Sequence, residues 1–304
     1  MIGGDIIRKF IFSDIHGVGN VYYSIMGYLD NISKNEDITL YINGDLFDRG
    51  LESAEVLLDV INRINRGSFR IEYLGGNHEL LMYECFEKRK KHLFDASRLW
   101  YLNGGRVTDN GLDELLDCND KAILEVAEYI SNLKIYHKFQ EKIDDKPIVL
   151  VHAQCPMEVE DECKLTIADD SDDVYFYVWA REDSMDFPFR CRIGNPEYFS
   201  IVGHTANNSP YGYVYNEREN YLNIDGGCSL YASGNASFDH IPLVEVLDSK
   251  LRILTFNNNN EIIAGNYFVP YRSIPMSDEE LNKDRKLLNT GFNPKKILKI
   301  DEPM

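Results

Sequence analysis

The sequence predicts an α/β fold in which packed β-sheets are flanked by helices. Over residues 1–80, apolar strand-like runs alternate with amphipathic, helix-like segments. From about residue 80 to 134 the pattern is mostly helical, and from about 143 to 256 it is strand-like again. A helical insertion between two strand-rich halves is typical of one domain built from layers of sheet and helix. We therefore expect one domain over residues 1–256.

Regularly spaced strand–helix units are predicted in the first 80 residues. The predicted strands are Ile6–Phe12, Ile38–Ile42 and Phe69–Leu74, and the predicted helices lie near Tyr22–Leu29 and over Ser53–Asn65. Asp45 follows Asp14 by 31 residues, and Asn77 follows Asp45 by 32. This interval is about the length of one strand–helix–strand unit. The polar residues after the three strands are therefore expected at one edge of a sheet, where open α/β sheets bind ligands.

The second half of the chain is predicted to contain further strands. Three of them end at His152, at Gly203-His204 and at Asp225-Gly226-Gly227, and the last two, Leu243–Leu247 and Leu251–Phe256, form a hairpin. Residues 257–304 are a polar C-terminal extension, expected to pack on the same domain. Within it, Ser277 and Glu280 form a capping box for a helix over Asp278–Leu288.

Composition restricts the partners and the compartment. The 304 residues carry a formal net charge of −18, which disfavours general binding to nucleic acid but not to a small anion beside metals and arginines. No apolar run approaches the ~18 residues of a membrane span, and the N-terminus has no signal-peptide pattern. The six cysteines contain no CxxC pair and are interpreted as reduced thiols. We expect a cytoplasmic protein with no nucleic-acid or membrane partner.

Carboxylate, amide and imidazole side chains recur at the predicted strand ends. The candidates are Asp14, His16, Asp45, Asn77, His78, His152 and His204. Oxygen and nitrogen ligands of this kind suit manganese, iron or zinc. Each residue alone has a common structural role, for example a helix N-cap for Asp14 or a hydrogen-bonded histidine for His152. Their joint occurrence at matched intervals predicts a metal site.

At these residues the chain resembles the phosphoprotein phosphatase family of the calcineurin-like metallophosphoesterase superfamily. The motifs are Gly44-Asp45-Leu46-Phe47-Asp48-Arg49-Gly50, Gly76-Asn77-His78-Glu79, Asp14-Ile15-His16-Gly17, Val151-His152 and Gly203-His204. Ser13 replaces the usual glycine, and Gly75 stands where eukaryotic members carry a basic residue. The eukaryotic C-terminal signature is not recognisable. The chain therefore resembles a bacterial-type or divergent member.

The resemblance implies a four-layer sandwich of two mixed β-sheets flanked by helices. It also implies a dinuclear centre, with Asp14 and His16 on one metal, Asp45 bridging, and Asn77, His152 and His204 on the other. We expect two transition metal ions, manganese first, with iron or zinc as alternatives. Two metals bridged by a carboxylate can acidify a shared water for in-line attack on a phosphoryl group.

The remaining motif residues are assigned to phosphate binding and proton transfer. His78 is the expected general acid for the leaving alkoxide, and Asp48 would orient it and favour its protonated form. Arg49 can bind the phosphate bidentately, and Asn77 contributes a neutral oxygen beside it. Arg181, after the aromatic run Val174–Val178, resembles the family's second phosphate-binding arginine.

Three functions remain open from the sequence. The first is a protein phosphatase acting on phosphoserine or phosphothreonine, with phosphotyrosine as a further option. Intact Asp48-Arg49-Gly50 and the terminal Glu79 favour it. The second is a hydrolase of dinucleoside polyphosphates or another small phosphoester, although members of that branch typically depart from Asp-Arg-Gly and carry aspartate at the position of Glu79. The third is a catalytically silent scaffold. The expected partner is accordingly a phosphorylated protein or a small phosphoester; the oligomeric state is not predicted.

Overall fold

Two mixed β-sheets form the centre of the protein in a computed structural model. The structure describes residues 7–91, 97–159, 163–165, 173–182, 191–235, 238, 240–269 and 272–288. The first sheet has seven strands in the order β12-β11-β10-β9-β1-β2-β3. Its strands are β1 (Arg8–Phe12), β2 (Ile38–Asn43), β3 (Arg70–Leu74), β9 (His240–Leu247), β10 (Lys250–Asn257), β11 (Ile262–Val269) and β12 (Arg272–Pro275). Within it β1, β2 and β3 are parallel, and β9 pairs antiparallel with β1.

The second sheet has five strands in the order β4-β5-β6-β8-β7. Its strands are β4 (Tyr136–Ile143), β5 (Lys146–Val151), β6 (Phe199–Val202), β7 (Val214–Asn216) and β8 (Tyr221–Asn223). Strands β5, β6 and β8 are parallel, whereas β4 and β7 pair antiparallel at the two edges. Each sheet therefore contains a parallel triplet.

The two sheets bury an apolar core between them. Because side chains alternate across a strand, Ile11 of β1 points to this core while Phe10 and Phe12 point to the helical side. Phe199 of β6 and Phe268 of β11 meet from opposite sheets, with ring centroids 5.8 Å apart. Burial on both faces makes the sheets rigid supports for the loops that follow their strands.

Helices cover the outer faces, which confirms the predicted α/β fold of two mixed sheets. They are α1 (Gly19–Ser33), α2 (Ser53–Arg66), α3 (Asn77–Lys90), α4 (Arg98–Leu102), α5 (Arg106–Leu115), α6 (Asp120–Ser131), α7 (Asp173–Trp179), α8 (Cys228–Ala232) and α9 (Asp278–Leu288). The predicted helices near Tyr22–Leu29 and over Ser53–Asn65 correspond to α1 and α2. None of the helices in the described part of the chain is long and apolar enough to cross a membrane.

Three regions hold strands that the sequence pattern did not predict, one of them the three-residue edge strand β7. Strand β4 begins at Tyr136, although strand-like alternation was expected only from about Ile143; its polar residues, such as Lys138, lie on an edge strand exposed to water. After the predicted hairpin of β9 and β10, strands β11 and β12 extend the first sheet within the polar extension. Gly265 and Asn266 interrupt the apolar residues of β11 and hide its alternation.

The described part of the C-terminal extension packs on the first sheet and on α1. Helix α9 spans Asp278–Leu288 as predicted, and the backbone N–H of Ser277 donates to Glu280 Oε2 at 2.9 Å in the expected capping box. Tyr28 of α1 donates its hydroxyl to Asp284 of α9 at 2.8 Å. Residues 289–304 of the extension lie outside the described residues.

Candidate metal centre

The candidate ligands follow the carboxyl ends of parallel strands in both sheets. Asp14, Asp45 and Asn77 follow β1, β2 and β3, while His152 and His204 follow β5 and β6. All five side chains are buried. The sandwich thus brings side chains from distant parts of the chain into one cluster, at the edge where α/β sheets bind ligands.

Hydrogen bonds across the two sheets fix the relative position of these loops. The side-chain amide of Asn43 donates to the backbone carbonyl of Val151 at 3.1 Å. The backbone carbonyl of Asn43 accepts from His152 Nδ1 at 2.8 Å. The backbone N–H of His204 donates to both carboxylate oxygens of Asp14, at 3.1 and 3.2 Å. The cluster is therefore held by the backbone of both sheets before any ligand arrives.

Asp45 belongs to two groups of side chains that could each hold a metal ion. One group is His16, Asp45 and His78, and the other is Asp45, His152 and His204; within each, the ligand atoms lie within 4.8 Å of one another. Oδ2 of Asp45 is 3.4 Å from His16 Nε2, and Oδ1 is 3.3 Å from His152 Nε2. A carboxylate shared in this way is the geometry expected of a bridging ligand.

Asn77 contributes to the second group through its amide oxygen. Oδ1 of Asn77 is 3.2 Å from His152 Nε2 and 2.8 Å from His204 Nδ1. Nε2 of His204 is buried and has no hydrogen-bond partner among the described residues. A neutral oxygen among converging imidazoles, with one nitrogen left unpaired, fits a cation better than a hydrogen-bonded core.

Two of the histidines are oriented by backbone carbonyls. Nδ1 of His152 lies 2.8 Å from the carbonyl of Asn43, and Nδ1 of His16 lies 3.2 Å from that of Phe47. A carbonyl only accepts, so each Nδ1 carries the proton and each Nε2 faces Asp45. Metal-binding histidines are typically fixed in this manner.

The electrostatics of the cluster also favour a cation. Burial opposes ionisation of Asp45, but His152 and His78 outweigh it and hold the pKa of Asp45 well below its usual range. Burial alone would lower the pKa of His152, yet Asp45 and Asp14 raise it to about 10. A proton on His152 thus supplies positive charge where the cluster requires it, and a metal ion would supply the same charge.

Asp14 lies in the cluster but outside both groups of three. Ser13 Oγ and the backbone N–H of His204 both donate to its carboxylate. Burial, followed by the charge of Asp225, raises the pKa of Asp14 well above its ordinary value. The first group contains His78 and not Asp14, whose carboxylate accepts from Ser13 and His204.

Backbone strain concentrates at these residues. Positive φ angles occur at six candidates: Asp14, His16, Asp45, Asp48, Arg49 and His204. Such conformations cost free energy for residues with a Cβ, and proteins retain them mainly where a functional geometry demands it. The strain indicates that these loops are shaped for the site.

Glu79 ties the loops after β2 and β3 together. Its carboxylate accepts hydrogen bonds from the backbone N–H groups of Asp45 (2.9 Å), Leu46 (3.1 Å) and Gly76 (2.7 Å) and from the hydroxyl of Tyr73 (2.6 Å). Glu79 is fully buried. It supports the two loops that carry Asp45 and Asn77.

His78, Asp48 and Arg49 form a chain of contacts beside the first group. Nδ1 of His78 lies 2.7 Å from Oδ2 of Asp48, and Nε2 lies 3.1 Å from Nη2 of Arg49. A guanidinium only donates, so Nε2 of His78 accepts from Arg49 and Nδ1 donates to Asp48. Arg49 is partly exposed, and its guanidinium can therefore exchange this contact for one with a ligand.

Arg181 lies on the other side of the cluster, beside the second group. Its Nη1 donates to Thr205 Oγ1 at 3.2 Å, next to His204. Burial and then the charge of Arg181 lower the pKa of His204 well below its ordinary value. Arg49 and Arg181 thus place positive charge next to His78 and next to His204. A phosphate between the two groups would lie within this field.

Two residues that contact Asp48 were not identified from the sequence. Trp100 and Thr108 contact Asp48 from the helical insertion, and no local motif marks them. Asp225, in the turn that the sequence predicts after β8, was not assigned to the catalytic set, and it lies close enough to perturb Asp14. A Cβ added at Gly75 would lie 2.9 Å from a methyl carbon of the buried Leu165, so a side chain there would require Leu165 to shift.

Comparisons with known proteins agree with this architecture. The profile of the family described as calcineurin-like phosphoesterase matches residues 7–234. A cold-active protein tyrosine phosphatase is similar in structure, with a TM-score of 0.51 and 14% identity over 84% of this chain and 78% of that protein. A protein serine/threonine phosphatase from Saccharomyces cerevisiae has a TM-score of 0.46 and 15% identity, covering 83% of this chain and 80% of its own.

Further comparisons include a protein assigned as a candidate diadenosine tetraphosphatase, with a TM-score of 0.42 and 14% identity over 90% of this chain and 100% of that one. At 14% identity, the likeness to the tyrosine phosphatase shows the fold alone. A search of curated protein sequences finds no significant match. Because the family profile spans well over half of the sequence, the chain belongs to the calcineurin-like phosphoesterase family.

Proposed function

We propose that this protein is a metal-dependent phosphomonoesterase of the phosphoprotein phosphatase type, acting on phosphorylated proteins. The observation that carries the proposal is the position of Asp45. Its two carboxylate oxygens lie 3.4 Å from Nε2 of His16 and 3.3 Å from Nε2 of His152, and it lies beside a histidine held by a buried carboxylate. Hydrolysis of a phosphoester requires these two features together, a doubly charged centre for the phosphoryl group and an acid for the leaving oxygen.

Two metal ions, with manganese as the first choice, are assigned to the cluster. Asp14 and His16 would hold one ion and Asn77, His152 and His204 the other, with Asp45 between them. A bound metal pair supplies acidification of water and neutralisation of charge on the phosphoryl oxygens. The unpaired Nε2 of His204 and the carbonyl-fixed Nδ1 of His152 support this assignment.

Phosphate binding is assigned to Arg49 and Arg181, with the amide of Asn77 nearby. Arg49 is partly exposed, and its Nη2 lies 3.1 Å from Nε2 of His78. Its planar guanidinium can donate two parallel hydrogen bonds to phosphate oxygens. Arg181 would approach from the side of His204 and balance charge on the remaining oxygens.

Proton delivery to the leaving group is assigned to His78. Its Nδ1 is committed to Asp48, so Nε2 is the nitrogen available to the substrate. When Arg49 turns from Nε2 to the phosphate, Nε2 becomes free to carry the proton that the leaving alkoxide requires. Asp48 then stabilises the resulting charge on the ring.

A peptide substrate is favoured by the residues around Arg49. The intact Asp48-Arg49-Gly50 sequence resembles the protein-directed members of the family. Leu51 directly follows this motif and is 84% exposed. Leu102 is 75% exposed and lies two residues before Gly104. The carbonyl of Gly104 accepts from the backbone N–H of Arg49 at 3.3 Å, which brings this segment next to Arg49. Apolar side chains beside a phosphate-binding arginine suit contacts with the residues that flank a phosphorylated side chain.

A substrate comparison tests the proposal. Purified protein loaded with Mn²⁺ is assayed against a panel of phosphoserine, phosphothreonine and phosphotyrosine peptides and against diadenosine tetraphosphate. The Asp45→Asn variant, prepared in the same way, controls for contaminating phosphatases. Turnover of phosphopeptides by the wild-type chain alone supports the proposal. Turnover of diadenosine tetraphosphate alone assigns a small-molecule hydrolase, and turnover of neither substrate class favours a scaffold.

A further inference from the structure

Asp48 is held by two donors from the helical insertion in addition to His78. The indole Nε1 of Trp100 donates to Oδ2 of Asp48 at 2.8 Å, and the hydroxyl of Thr108 donates to Oδ1. The same hydroxyl accepts from the backbone N–H of Asp48 at 3.2 Å, which fixes the direction of its own proton. All three side chains are buried. Both carboxylate oxygens therefore have defined partners besides the histidine.

The turn between α4 and α5 supports this arrangement. Gly104 has φ +96°, and its carbonyl accepts from the backbone N–H of Arg49 at 3.3 Å. A Cβ at Gly104 would lie 2.6 Å from Cγ of Arg49, and a Cβ at Gly105 would overlap the indole of Trp100. Only a pair of glycines lets this turn approach both side chains so closely.

The insertion is anchored to the helix that carries His78. Arg89, near the end of α3, donates to both carboxylate oxygens of Asp109 in α5 at 2.9 and 2.6 Å. It also donates to the hydroxyl of Tyr101 in α4 at 3.1 Å and to Ser97 at 2.8 Å. Since α3 begins at Asn77-His78, one helix fixes the histidine and, through Arg89, the segment that holds its carboxylate partner.

We propose that Trp100 and Thr108 are positioning residues that hold Asp48 in the orientation in which it aligns His78 for proton transfer. This inference rests on the proposed phosphoesterase function. A buried carboxylate with one partner has alternative rotamers, whereas three donors on its two oxygens specify a single one. The insertion over α4 and α5 thus belongs to the catalytic apparatus, although neither residue touches the substrate.

The simpler interpretation is that both residues only stabilise the fold. Trp100 packs against Phe86, with ring centroids 5.9 Å apart, and its truncation would cost stability in any case. A positioning role differs in one respect, because its effect must pass through Asp48. Replacement of Thr108 should therefore have no further consequence once the Asp48 carboxylate is absent.

Thr108→Val and Thr108→Ser separate the two interpretations. Valine keeps the shape and removes the hydroxyl, while serine keeps the hydroxyl. With Mn²⁺-loaded protein we expect Thr108→Val to lower kcat for phenyl phosphate about tenfold, with little change in KM. The loss should be smaller for p-nitrophenyl phosphate, whose leaving group needs less protonation. Thr108→Ser should retain near-normal rates. In an Asp48→Asn background, Thr108→Val should change kcat less than about twofold. Thr39→Val is the control, because Thr39 is also a buried threonine but lies at the end of β2 away from the metal cluster.

A spectroscopic measurement makes the test independent of turnover. The ¹⁵N-labelled imidazole of His78, assigned from its loss in His78→Asn, reports the Nδ1 proton that is donated to Asp48. We expect this resonance to shift or broaden in Thr108→Val and in Trp100→Phe and to be restored in Thr108→Ser. An unchanged resonance in both variants, or equal and additive losses of kcat for both esters, would overturn the positioning role. Absence of turnover in the wild-type chain would instead overturn the proposed function.

Discussion

His78 Nδ1 lies 2.7 Å from Asp48 Oδ2, and neither side chain has exposed surface. The two residues are 30 positions apart and follow different strands of the first sheet. The contact fixes the plane of the imidazole and leaves Nε2 directed toward Arg49 and, at 3.9 Å, Asp45. The orientation of the proposed acid is therefore set by the fold and does not depend on the substrate.

Replacement of His78 tests its role as the acid. His78→Asn should retain bound metal but slow hydrolysis by roughly 10²–10⁴-fold, because the leaving alkoxide loses its proton donor. The loss should be smallest for p-nitrophenyl phosphate, whose leaving group needs little protonation. Steady-state rates across a series of aryl and alkyl phosphates measure this dependence. A uniform loss across the series would argue against His78 as the acid.

Replacement of Arg181 tests the second phosphate contact. Arg181→Ala should raise KM, and the inhibition constant for inorganic phosphate, by about tenfold, with a smaller change in kcat, since one charge-assisted contact to the phosphate is lost. The matched control is Arg192→Ala, because the side chain of Arg192 is 64% exposed and pairs with Glu219. Equal inhibition constants in Arg181→Ala and the control would remove Arg181 from the site.

Glu79 is expected to support metal binding without touching the metal. In Glu79→Gln one carboxylate oxygen becomes an N–H₂ group, which would face the N–H and O–H donors that Glu79 now accepts from. The loops that carry Asp45 and Asn77 should loosen, and Mn²⁺ affinity should fall about 10–100-fold. Titration calorimetry with Mn²⁺ measures the change, with Glu87→Gln on the same helix as control. Unaltered affinity would show that these loops do not need Glu79.

Acid sensitivity is expected from a buried ion-pair network away from the site. Glu245 lies between Arg8, at 2.6 Å, and Arg252, at 2.8 Å. Burial opposes its ionisation, but Arg8 and then Arg252 outweigh burial and lower the pKa of Glu245 below its ordinary value of 4.5. A depressed folded-state pKa contributes stability above 4.5 that is lost as the pH falls through the folded value.

Glu245→Gln should therefore lower the free energy of unfolding at pH 7 by about 3 kcal/mol, since Arg8 and Arg252 each lose one of two carboxylate partners. The difference from wild type should shrink as the pH falls below 4.5. Urea unfolding between pH 7 and pH 3 measures it. A difference that stays constant over this range would contradict the network.

The sequence predicted the strand-end clusters because their chemistry is local. Asp45 and Asn77 follow apolar runs at fixed intervals, and parallel strands place such residues together. The partners of Asp48 could not be predicted in this way. Trp100 and Thr108 lie 52 and 60 residues further along, and only the packing of α4 and α5 brings them to the carboxylate.

The missed strands have a related explanation. Strands β4 and β12 are edge strands that expose polar side chains to water, so their pattern lacks a clear apolar face. Strand β11 interrupts its apolar residues with Gly265 and Asn266. These segments form strands because they pair with neighbouring strands of the sheet. Their own residues do not encode this pairing, so the local sequence pattern cannot predict it.

The number of metal ions bound per chain tests the dinuclear centre. Wild-type protein purified without chelator and dialysed against Mn²⁺ should retain two ions per chain by elemental analysis. Asp45→Asn keeps an oxygen that can accept from the backbone N–H of His78, so its circular dichroism spectrum should be unchanged. The substitution removes the negative charge between the two metal positions, so the variant should retain fewer than about one ion per chain. Two ions per chain in Asp45→Asn, or none in the wild type, would contradict the dinuclear centre.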